Sequence, residues 1–104
     1  MSTRLIYVTA PSGDEARRLG RALVEERLAA CANIIPGIVS IYRWEGAVRE
    51  DDEVALILKT QDLLVDRLTE RVRALHPYQC PCVVALPIES GNPAFLKWIV
   101  DETS

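Results

Sequence analysis

The chain is poor in the residues that carry chemistry. It has one histidine, His76. No paired acid–base constellation accompanies it, so catalytic turnover is not expected. Lysine is limited to Lys59 and Lys97. Most of the arginines, Arg17, Arg18, Arg21, Arg67, Arg71 and Arg73 among them, fall at helical spacing between acids and read as solvated faces. The formal net charge is −3, the pI is about 5.1, and there is no basic stripe. Nucleic acid is therefore not an expected partner. No apolar run nears the roughly 20 residues of a membrane helix, so no membrane partner is expected either. Gly13, Gly37, Gly46 and Gly91 stand alone, which excludes a glycine-rich phosphate loop. Met1 to Arg4 is short and polar, with no signal-peptide apolar core after it. The three cysteines are an odd count and give no disulfide framework. A reducing cytoplasm is the expected setting, and no cofactor is required.

What is present is apolar. Hydrophobic residues make up 49% of 104 positions. That length supports one domain, 1–104, and is too short for two independent cores. So apolar a small chain is expected to bury some of its surface between subunits.

Leu5-Ile6-Tyr7-Val8 reads as a buried strand. Thr9 to Asp14 breaks it with turn chemistry. Ser12 is an N-cap candidate, with Glu15 completing a capping-box pattern. Ala16, Leu19, Ala22, Leu23 and Leu28 then recur at helical spacing, predicting a helix to about Arg27. From Cys31 to Trp44 the residues turn β-branched and aromatic. Pro36-Gly37 interrupts that run and predicts a bulge. Glu45-Gly46 predicts a tight reversal, and Val48 to Thr60 a returning strand. This long hairpin, from Ile38 to Leu58, carries apolar residues on both faces, so both faces are expected to be covered, which points to oligomerisation. Asp62 is expected to cap the next helix, with Leu63, Leu64, Leu68, Val72 and Leu75 as its stripe. That helix ends at His76, because Pro77 cannot continue it. Val83 to Ile88 is a fourth strand. Gly91-Asn92-Pro93 opens a short last helix containing Phe95, Leu96, Trp98 and Ile99. The order gives an α+β chain of ferredoxin-like βαββαβ topology, with helices on one face of an antiparallel sheet.

Several segments together resemble one family. They are Ala29-Ala30-Cys31-Ala32-Asn33-Ile34, Ser40-Ile41-Tyr42-Arg43-Trp44-Glu45-Gly46, Leu58-Lys59-Thr60, His76-Pro77-Tyr78 followed by Pro81, and Gly91 with Leu96-Lys97-Trp98. In order and spacing they are similar to the CutA divalent-cation tolerance family. The resemblance implies a ferredoxin-like fold, a tight homotrimer, a cytoplasmic location in bacteria and an architecture like that of the PII signalling proteins. It implies a role linked to copper and other divalent metals. His76 matches the family histidine. Relatives commonly carry an acid where Cys82 stands, many carry glutamate at Gln79, and some carry a cysteine at Val8. Cys82 would make such a site softer, suited to copper(I), zinc or mercury.

The segment from His76 to Cys82 is therefore either a metal site or a rigid connector. As a site, His76, Cys82 and Cys80 are the ligands. Cys80 and Cys82 share a face if the segment is extended. Copper(I) accepts two or three soft ligands, whereas zinc wants a fourth. The two thiols are not expected to bridge, since their Cα atoms lie near the limit of about 7 Å. As a connector, His76 serves the carboxyl end of its helix and the cysteines are small buried hydrophobes. Cys31 is expected to be a strand-start residue. An alternative function is a PII-like signalling or scaffolding trimer, with a small molecule or partner protein in an inter-subunit cleft near Trp44, Lys59 and Tyr78. Lys59 would hold an anion or pair with an acid such as Glu89. Asp51-Asp52-Glu53 reads as a solvated strand entry.

Overall fold

Residues 2–104 are described in the structure, a computed structural model. Strand β1 (Thr3–Ala10) leads into helix α1 (Gly13–Glu25), followed by the long strands β2 (Cys31–Trp44) and β3 (Ala47–Gln61). A 3-10 turn over Asp62–Leu64 precedes α2 (Val65–Leu75), then come β4 (Val83–Ile88) and α3 (Pro93–Glu102). The sheet order is β2-β3-β1-β4, antiparallel throughout. This is the expected ferredoxin-like arrangement. Among the described residues no helix is long and apolar enough to cross a membrane.

Alternation along β1 and β3 divides the sheet into two faces. Ile6, Val8, Leu56 and Leu58 are fully buried and share one core with Leu19 and Leu23 of α1 and Leu68 and Val72 of α2. The register sets Tyr7 between Ile57 and Val84, and Leu5 between Lys59 and Leu86, on the opposite face. Val84 and Leu86 are exposed there. Helix α3 closes the far end of the sheet, where the Gln61 amide donates to the Thr103 carbonyl and hydroxyl.

Local chemistry accounts for the boundaries. The Ser12 hydroxyl accepts from the Glu15 N–H at 3.2 Å, but only half of the capping box forms, because Arg18 takes the Glu15 carboxylate. Helix α1 stops at Glu25, short of the expected Arg27, in a Schellman motif. Arg27 has a φ of 60°, its N–H reaches the Val24 carbonyl, and the Leu28 N–H reaches the Leu23 carbonyl. Leu28 is thus buried beyond the helix, as the motif's apolar contact, and not on its stripe. Asp62 does not cap α2. Its backbone N–H is held by the Ser2 carbonyl and its carboxylate by Arg4 at 3.0 Å, so the 3-10 turn intervenes. Helix α3 opens at Gly91-Asn92-Pro93 as expected, with Asn92 as its cap, accepting from the Ala94 N–H at 3.1 Å, and Pro93 at its first position.

The hairpin follows its turn residues closely. Glu45 and Gly46 have φ of 50° and 78°, both positive, as a type I′ reversal demands. Between Ile35 and Ile38 the register slips by one residue against β3, with Gly37 at φ 80°. That is the expected bulge. A bulge bends its strand and tightens the twist. It divides the hairpin into a half paired over the core and a half that runs beyond it.

Candidate functional site

Three pieces of chain meet beyond the bulge. They are the outer half of β2, β3 at Glu53, just before its pairing with β1 begins at Val54, and the connector from Pro77 to Cys82. Together with Tyr7 and Thr9 of β1 they enclose a cleft of about 820 Å³. Its walls include Tyr42, Trp44, Glu53, Tyr78, Cys80 and Cys82.

His76 forms the base of the connector. It is 7% exposed and lies just after the last turn of α2. Its Nε2 lies 2.7 Å from the Thr9 carbonyl, and its Nδ1 accepts from the Tyr78 N–H at 3.1 Å. The neutral tautomer carrying its proton on Nε2 satisfies both contacts. Each ring nitrogen is thereby engaged with backbone. The ring also packs on Tyr78, centroids 4.7 Å apart. The histidine thus staples the connector to β1.

Tyr78 extends the staple. Its hydroxyl donates to the Glu53 carboxylate at 2.8 Å. Burial, and then the hydrogen bond to Glu53, push the phenol well above its ordinary value. Glu53 itself is 9% exposed, which corrects the reading of Asp51-Asp52-Glu53 as wholly solvated. Asp51 and Asp52 are exposed, whereas Glu53, on the same strand face as Asp51, is covered by Tyr78. The one sequence signal for this was position, since Glu53 directly precedes the apolar centre of β3. On the outer wall, Tyr42 donates to the Asp51 carboxylate, a bond that raises the Tyr42 phenol.

The two thiols both line the cleft but differ. Cys80 is exposed and Cys82 is half-buried. Burial, and then the nearby Glu53 charge, raise the Cys82 thiol. No group of three or more His, Cys, Asp or Glu side chains stands close enough to hold a metal ion among the described residues. Cys80 and Cys82 therefore share a cleft, whereas His76 lies behind it with both nitrogens occupied.

Of the expected cleft residues, Trp44 and Tyr78 come together and Lys59 does not. Lys59 pairs across the sheet with Cys31, where β2 begins, and its ammonium group donates to the Asn33 amide oxygen instead of meeting Glu89. A second cavity, of about 490 Å³, lies beside the C-terminal end of α1 and α2. A two-pronged Arg71–Glu26 pair stands on its wall.

Comparison with known proteins agrees with the family motifs. The chain is 52% identical over 99 residues to the divalent-cation tolerance protein CutA of Thermus thermophilus, covering 95% of this chain and 96% of that one. It is 51% identical over 98 residues to mouse protein CutA, covering 94% of this chain and 55% of the mouse protein, so it spans about half the mouse relative's length. The solved structure of the Thermus thermophilus Cut A1 divalent cation tolerance protein superposes with a TM-score of 0.95 at 51% identity, covering 98% of this chain and 99% of that one. The family described as CutA1 divalent ion tolerance protein matches residues 4–102, and the chain belongs to that family.

Proposed function

We propose that this chain serves divalent-cation tolerance as a cytoplasmic homotrimer that binds a soft metal ion, copper(I) foremost, without catalytic turnover. Cys80 and Cys82 are the ligands in this reading. The observation that carries it is that both thiols open onto one cleft, and copper(I) is content with two soft donors. His76 is left with a positioning role, because binding metal through either nitrogen would first break a hydrogen bond to backbone. The homotrimer is supported by the bare apolar surface of the hairpin, where Val39, Ile41 and Val48 are 58%, 68% and 64% exposed. Patches of that kind mark subunit contacts. The ferredoxin-like fold is also the basis of the PII-like architecture.

The test is titration of untagged protein with copper(I) and with zinc. The double variant Cys80→Ser, Cys82→Ser is expected to lose copper(I) binding at least tenfold. His76→Ala is expected to retain it in the folded fraction. Unchanged affinity in the double variant sinks the metal reading. Native mass spectrometry is expected to give a trimer at micromolar concentration, and a monomer there removes the assembly.

A second reading rests on the aromatic walls. Tyr42, Trp44 and Tyr78 line a cleft of the size that takes a small molecule, about 300–1,000 Å³. In this reading the trimer is a signalling or scaffolding body and the cleft holds a ligand independently of the thiols.

A further inference from the structure

We draw no further inference here: the strongest candidate, the exposed Phe95–Trp98 ring pair on the outer side of α3, is an unpartnered apolar face, and nothing in the structure shows what covers it.

Discussion

The two halves of the long hairpin are built from the same pair of strands and meet opposite fates. On the near side of the bulge, Leu56 and Leu58 are fully buried beneath α1. On the far side, Val39, Ile41 and Val48 stand in the open. Although in β3 the outer half also carries the charges from Arg49 to Glu53, in β2 composition does not separate them, as both halves are β-branched and apolar. The bulge at Pro36-Gly37 and the length of α1 do. A helix of 13 residues is about 20 Å long at 1.5 Å per residue, whereas β3 has 15 residues at about 3.3 Å each. One helix cannot roof such a strand, so an apolar pattern in the overhang records a need for cover and leaves the cover unnamed.

The sharpest way to break the comparison is to truncate one side chain in each half. Leu56→Ala is expected to destabilise the chain by about 2–5 kcal/mol, from lost burial and the cavity left behind. Ile41→Ala is expected to stay within about 0.5 kcal/mol when the protein is dilute, as an exposed site does. Urea unfolding measures both. The same Ile41 variant is expected to shift sedimentation toward smaller species if copies of the chain cover the arm. Equal losses in the two variants at every concentration would erase the distinction between the halves.

The connector at the cleft offers a smaller effect. His76→Ala removes two hydrogen bonds and leaves the Thr9 carbonyl without its side-chain partner. A loss of about 1–3 kcal/mol is expected, since an unsatisfied buried group carries its desolvation penalty. Metal affinity in the folded fraction is expected to change little. A large affinity loss with unchanged stability would return His76 to the role of ligand and make the cleft, not the core, its proper context.

Most of the fold was legible because its signals are local. Pro77 ends α2, Glu45-Gly46 turns the hairpin, Pro36-Gly37 bulges it, and Ser12 and Asn92 cap helices with their own side chains. Asp62 misled because a cap competes with other partners, and Arg4 with the Ser2 carbonyl won. The end of α1 was overrun because αL termini usually announce themselves by glycine, and here an arginine adopts the conformation. The site was half legible. Trp44 and Tyr78 line one cleft within a single chain, whereas Lys59 lies in the body of the sheet, where only the register could put it. Glu53 was hidden in an acidic run whose other members are solvated. Its burial depends on Tyr78, 25 residues away, a contact that no spacing encodes.

That long-range contact gives the smallest and most specific test. The Tyr78 phenol is raised above its unfolded value of about 10 by burial and by Glu53. A group whose folded pKa is raised stabilises through its protonated form. The contribution is therefore whole below about pH 10 and is lost as pH climbs through the range above it. Tyr78→Phe keeps the ring, loses the hydrogen bond and has nothing to titrate. At pH 8 the variant is expected to be weaker by about 1 kcal/mol, the net value of one hydrogen bond. Between pH 10 and 11, set by the direction of the Tyr78 shift, that gap is expected to narrow, because wild type alone bears the cost of keeping a phenol protonated beside Glu53. Comparing urea midpoints of the two proteins at both pH values cancels the tyrosines and lysines they share. A gap that stays constant would mean that Tyr78 and Glu53 are neighbours without being coupled, and the cleft's carboxylate would then owe its burial to the sheet alone.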